Sequence, residues 1–339
     1  MTHHQRKWAA ACFAIASLSS GYTVAHSEAP NIQSVSAPTN TTSLWASPVS
    51  CHTDPSALSR AIYNSRWSIR TTRFVISGQC HGPIVIHKRD IEISNDAQQS
   101  GSIRLLTDST SLHDQAPKEA VKVVNSTVEL NNITIEVEPN SRAITVTQSS
   151  VVTLRGVASN VQPSSEKLPY PFVITDNSTG YISDSVGSGF EVSGSSVVEF
   201  NAGNKEHVVN VLDTSMARSV AKNQFESVQV SGNGYFLGDN KTHIESLMVW
   251  SKASAEVNRE SSVAQLQMGG QTLFAAYRNS SITGPYFLYG NVVFELEHST
   301  ASNWVSVDKP QSILIGNNAT VNGTLYPSWS WAGQDGNDP

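Results

Sequence analysis

Arg155, Asp176 and Asp184 carry the side chains of this 339-residue chain that are best suited to acid–base work on a sugar. Paired carboxyls protonate and hydrolyse glycosidic bonds, and an arginine can orient an anionic sugar or take its proton. These three are scattered, as are Asp213 and Arg218, and none has a neighbouring acid. Any site they form must be assembled by the fold. A second set is aromatic: Tyr326, Trp329 and Trp331. Alternate residues of a strand share a face, so these rings could stack on a sugar. They could equally plug the open end of a repetitive core. Both readings stand, and the plug is the plainer.

Cys51 and Cys80 are the only cysteines beyond the first 25 residues, and His52 and His81 follow them. A Cys/His set can hold zinc, but an exported chain with two cysteines most simply bonds them to each other. A disulfide is therefore expected, and neither a metal nor a cofactor is.

Export is read from the start of the chain. His3 to Lys7 form a basic region, Trp8 to Leu18 an apolar one, and Thr23-Val24-Ala25 a small-residue cleavage site. Residues 1–25 thus read as a signal peptide, too short in its apolar part to span a bilayer. No later segment is apolar enough for a membrane span. Its removal takes Arg6 and Lys7, leaving 20 basic residues against 28 acidic ones. With no basic cluster, a nucleic-acid partner is disfavoured. The expected location is secreted, periplasmic or at the cell surface.

Residues 26–50 are rich in Ser, Thr, Pro and Asn and read as an extended or disordered arm. Thr53-Asp54-Pro55 can start a helix over about 55–65, with Leu58, Ile62 and Tyr63 on one side. From Arg73 onward the text is short Val- and Ile-rich strands divided by Gly, Asn, Asp and Ser.

A serine-led strand then recurs: Asn125-Ser-Thr-Val-Glu-Leu130, Ser149-Ser-Val-Val-Thr-Leu154 and Ser195-Ser-Val-Val-Glu-Phe200. One alignment runs through Val128, Val152, Gly180, Val198, Ala217, Tyr235, Ala255, Ile282, Ala301 and Ala319. Its base period is about 18–19 residues, with expansions near 96–119, 157–172 and 255–282. Such a text specifies stacked coils, each strand pairing with its equivalent one coil away. The expected fold is all-β: a parallel solenoid over 51–330 with one short capping helix, followed by a flexible tail over 331–339.

On these residues the chain resembles the right-handed parallel β-helix proteins of the pectin-lyase-like superfamily. The opening is clearest: Leu58-Ser-Arg-Ala-Ile62, Phe74-Val-Ile-Ser-Gly78, Cys80-His-Gly82, Ile84-Val-Ile86 and Ile91-Glu-Ile93. The resemblance implies a helix capping the first coil, and polysaccharide substrates among many relatives. The galacturonase strings Asn-Thr-Asp, Asp-Asp, Gly-His-Gly and Arg-Ile-Lys are absent, and so is the Asp-Pro-His-Asp of alginate epimerases.

The expectation is an exported, non-catalytic scaffold whose stacked polar face binds a glycan or the cell envelope. The alternative is a polysaccharide lyase or glycoside hydrolase with its site in a lateral groove, for which Arg155, Asp176 and Asp184 are the nominees. Two expansions are further places for function. One holds His113, Asp114, Lys118 and Glu119, the other Glu166, Lys167 and Tyr170. Eight Asn-x-Ser/Thr strings, at Asn40, Asn125, Asn132, Asn177, Asn240, Asn279, Asn318 and Asn322, read as corner chemistry and not as glycosylation sites.

Overall fold

The computed structural model describes residues 46–96, 100–105, 118–138, 141–160, 170–186, 189–306, 312–328 and 330–332. The chain divides into two units, Met1–Leu44, which lies outside the described residues, and Trp45–Pro339.

The second unit is a parallel β-solenoid of about 11 turns. Each turn lays a strand on each of three faces, and each strand pairs in parallel with the next turn. Face A includes Thr127–Asn131, Val151–Arg155 and Thr179–Ser183. Face B includes Thr134–Glu136 and Ala158–Ser159. Face C includes Arg142–Thr147, Phe172–Ile174 and Gly189–Val192. Farther along, single strands bend over two faces, as Gln224–Val230 and His243–Ser251 do, and Ser262–Tyr277 crosses all three.

The interior is a stack of inward-pointing apolar columns. On face A one column runs Val128, Val152, Gly180, Val198, Ala217, Phe236, Ala255, Phe274 and Phe294. Rings fill the space between faces: Phe190 meets Phe200 at 5.2 Å and Phe200 meets Phe225 at 5.3 Å, both edge-on. Such contacts add to the burial of large apolar area that drives folding.

Corners explain the composition. At each, a residue must take a left-handed backbone, which Gly adopts freely and Asn and Asp tolerate. Asn125, Asn132, Asn177, Asn240, Asn279, Asn318 and Asn322 all have positive φ. These are all the Asn-x-Ser/Thr asparagines except Asn40, which lies outside the described residues. Corner chemistry accounts for those strings.

The serine signature resolves into two buried ladders, not one. The first, before face A, runs Ser126, Ser150, Ser178, Ser196 and Ser215, each backbone N–H donating to the next hydroxyl at 3.1–3.2 Å. The second, before face B, includes Asn204, Asn223, Thr242 and Ser261. Asn204 N donates to Asn223 Oδ1 at 3.0 Å and Thr242 N to Ser261 Oγ at 3.2 Å.

The sequence alignment therefore needs correction at Tyr235 and again from Ile282 on, while Ala255 stands in its column. Phe236, not Tyr235, stands over Ala217. Ile282 and Ala301 belong to face B, where Val321, not Ala319, follows Ala301. The apparent expansion at 255–282 was a step from one ladder to the other. Two ladders of similar small polar residues, each repeating at about 19, are easily merged when read as text. Ladder partners are 28 residues apart across the 157–172 expansion, against 19 in regular coils.

The ends depart from expectation in detail. Ala46–Ser50, within the segment assigned to the arm, is the first rung of face A and buries Val49. Pro48 obscured it, yet a terminal rung tolerates proline because one edge needs no donor. The helix is Ala57–Asn64, followed by a tight turn Ser65–Trp67, with Leu58 and Ile62 buried. Cys51 and Cys80 are bonded, with Cα atoms 5.1 Å apart, and link the first rung to the strand Thr72–Gly82. At the far end two antiparallel pairings close the stack: Thr324–Tyr326 on Ala319–Val321, and Ser330–Ala332 on Ser312–Ile315. Residues 331 and 332, assigned to the tail, thus belong to this closure. Among the described residues no helix is long and apolar enough to cross a membrane.

Candidate functional site

The nominated acid–base residues do not converge. Asp176 sits at the corner before the face A strand Thr179–Ser183, and Asp184 at the corner after it, both with left-handed backbones. Thr147 Oγ1 donates to the Asp176 carboxylate. Arg155 lies beside Ser183 across the ladder, but its guanidinium is paired with Glu129 Oε1 at 3.0 Å. Asp176 and Asp184 therefore do corner work at opposite ends of one strand.

Tyr326 is half-buried and packs on the end of the core, as a plug does. Trp331 lies on the closing strand, while Trp329 is outside the described residues. Of the expansion residues, His113, Asp114, Glu166 and Lys167 also lie outside them. Lys118 backs onto Arg142, whose N–H donates to the Lys118 carbonyl at 2.7 Å. Glu119 pairs with Lys122 at 3.1 Å. Tyr170 is buried, and its hydroxyl is raised above the usual tyrosine range by that burial, then by the charge of Glu191.

The site that the fold does assemble lies on the outer surface of face A. Where Phe236, Ala255, Phe274 and Phe294 point inward, the next residues, Leu237, Glu256, Ala275 and Glu295, point outward in one register. Glu256 and Glu295 are separated by one coil that carries only the small Ala275 at this position. Two rungs place their backbones about 9.6 Å apart.

Tyrosines flank both acids. Tyr235 Oη donates to Glu256 Oε2 at 3.1 Å, and Tyr277 is hydrogen-bonded to Glu295. Asn258 Nδ2 lies 3.5 Å from Glu256 Oε1. A cavity of about 510 Å³ opens here, lined by Glu256, Asn258, Tyr277, Arg278, Glu297 and His298. One coil before Leu237, Arg218 keeps a buried Nε with no hydrogen-bond partner.

Both acids hold protons more tightly than ordinary carboxyls. Burial is the main cause for each. Neighbouring charge adds to it, from Asp239 and Glu295 at Glu256 and from Glu297 at Glu295. The tyrosine hydrogen bonds, and Arg278 beside Glu256, act in the opposite direction. Both tyrosine hydroxyls are in turn raised far above their usual range, chiefly by burial and then by the acid each contacts.

Such a surface can exchange hydrogen bonds with hydroxyls through its carboxyls, its amide and its tyrosine hydroxyls. Among the described residues no group of three or more His, Cys, Asp or Glu side chains could hold a metal ion. These residues escaped notice because they lie in different coils. The available signal was Glu256 and Glu295 one place after the inward apolar column, visible only once that column is in register.

A second outward feature lies on face C, where Trp250 and Tyr289 stack at 6.1 Å across Gly269. A Cβ at Gly269 would stand 2.0 Å from the Trp250 ring, so only glycine fits beneath it.

Comparison with family models, with curated proteins and with solved structures returned no match.

Proposed function

We propose that this chain is an exported β-solenoid of the pectin-lyase-like kind that binds a neutral glycan along the outer surface of face A. The observation that carries the reading is the Glu256–Ala275–Glu295 column with Tyr235 and Tyr277 beside it, and a cavity of about 510 Å³ that Glu256 and Tyr277 help to line. The carboxyl oxygens of Glu256 and Glu295, braced by tyrosines, can accept hydrogen bonds from sugar hydroxyls. Their negative neighbours Asp239 and Glu297 disfavour polyanionic chains. Parallel strands repeating about every 4.8 Å present a linear groove suited to an extended polymer.

The test is retention of the mature chain on insoluble neutral glycans. Retention should fall at least tenfold in a Glu256→Gln/Tyr277→Ala variant and persist in Tyr326→Ala. Retention that survives the first variant and is lost in the second moves the site to the C-terminal closure.

A second reading is hydrolysis with inversion, for which the two acids on one face, each one coil from Ala275, are the candidates. Inverting glycosidases place their carboxyls roughly 6.5–9.5 Å apart to admit a water. New reducing ends from a neutral polysaccharide, lost in Glu295→Gln, would support it. Binding without product leaves the chain a scaffold.

A further inference from the structure

We infer that the corner between the capping helix and face A is a docking site for an anionic phospholipid surface. Three large side chains protrude there, largely uncovered among the described residues: Tyr63 at 63%, Trp67 at 82% and Ile69 at 98% exposure. Large apolar groups exposed so fully are costly in water unless a partner takes them up. The Arg66 guanidinium lies over the Tyr63 ring at 4.1 Å and within 5.4 Å of the Trp67 ring, so cation and aromatics form one projecting unit.

The charges around this unit are mostly positive. Arg66, Arg70 and Lys88 are exposed and have no carboxylate partner among the described residues. Acids close in sequence are already matched, Asp54 by Arg60 and Glu92 by Arg73. Beside the apolar unit a cavity of about 540 Å³ is rimmed by Arg70, Lys88, Arg89 and one acid, Asp90, with Asn125 and Thr127 among its lining. Arg89 is held in place by donating to the Ile62 carbonyl at 2.6 Å and to Ser65 Oγ at 3.1 Å. The rim is therefore cationic within a chain of net charge −6.

Tryptophan, tyrosine and an aliphatic side chain with arginine and lysine behind them match the two layers of a lipid interface. Rings enter the headgroup–acyl boundary while cations meet phosphate. Near an anionic leaflet each such cation is attracted. A soluble polyanion would use the cations but leave Trp67 and Ile69 in water. Residues 26–45 of this chain suit the site poorly, since Glu28 is their sole acid.

The test is co-sedimentation of the mature protein with vesicles of phosphatidylcholine alone or with phosphatidylglycerol added. Binding should be at least tenfold stronger to the anionic vesicles and should weaken with salt. Trp67→Ser/Ile69→Ser and Arg66→Gln/Arg70→Gln/Lys88→Gln should each lower it at least tenfold, with melting curves unchanged because all five side chains are exposed. Absence of sedimentation, equal sedimentation with both vesicle types, or indifference to the Trp67/Ile69 change would overturn the inference. Binding of inositol hexakisphosphate that depends on the cations but not on Trp67 and Ile69 would reassign the corner to soluble polyanions.

Discussion

The groove at Glu256–Glu295 and the corner at Tyr63–Arg89 sit on the same three-faced coil, yet their chemistry is opposite. In the groove, acids are sheltered enough that their carboxyls titrate above the ordinary value, and they are braced by tyrosines. At the corner, cations and apolar rings stand in the open. Beneath both, the inward residues are interchangeable: Ile91 and Ile93 under one, Ala255 and Phe274 under the other. A solenoid decouples core from surface, because each coil needs only apolar insides and left-handed corners. The outward positions are then free to differ from coil to coil.

That separation can be attacked first through the core. Phe200 is fully buried between Phe190 and Phe225. Phe200→Ala should cost about 3–5 kcal/mol, read as a lower denaturation midpoint. If the two surfaces are independent, vesicle binding at the corner should outlast glycan retention as denaturant rises.

The reciprocal break is the disulfide. Cys51→Ser/Cys80→Ser opens a loop of 29 residues of sequence separation, worth about 3–4 kcal/mol in the chain-entropy model. Because neighbouring coils support only one another, proteolysis should begin in the first coils while the groove stays intact. Simultaneous loss of both ends would show a single cooperative unit and erase the contrast.

A smaller effect tests the ladder common to both regions. Ser196 Oγ accepts from the buried Ser178 N–H at 3.1 Å. Ser196→Ala leaves that donor unmet and should destabilise by about 1–3 kcal/mol, whereas Ser195→Ala at the exposed neighbour should change thermal stability little.

The smallest effect is electrostatic and confined to the groove. The carboxyls of Glu256 and Glu295 titrate above the ordinary value in the folded chain. The native state thus binds protons more tightly than the unfolded one. Their contribution is fully present below the ordinary carboxylate pKa and is lost as pH rises through the raised folded values. Thermal melts of the parent should therefore fall between those limits, and Glu256→Gln/Glu295→Gln should flatten that fall. Changes at Arg66 and Arg70 should leave the profile alone.

What could be read from the text follows the same division. Strands such as Ile84-Val-Ile86, the small polar corners and the cysteine pair repeat or face strict local demands, so they are legible residue by residue. Asn132 and Asn240 announce corners because few residues tolerate positive φ. The groove was not legible, because Glu256 and Glu295 meet only through pairings that skip a coil. The step of the alignment from Ala255 to Ile282 passed over Phe274 and Phe294 and so hid the register that joins the two acids. Ser150 and Ser280 look alike but belong to different ladders, and only hydrogen-bond pairing separates them. Trp67 and Ile69 gave no signal as text, since a surface ring and a core ring are spelled the same way.

The most direct test of the groove is a titration of side-chain-labelled Glu256 and Glu295 by carbon NMR, with and without a soluble neutral oligosaccharide. The account predicts that both carboxyls titrate above the ordinary glutamate value and that the oligosaccharide moves both while leaving Glu92 unchanged. Ordinary titration of both, with no response to any neutral oligosaccharide, would contradict it.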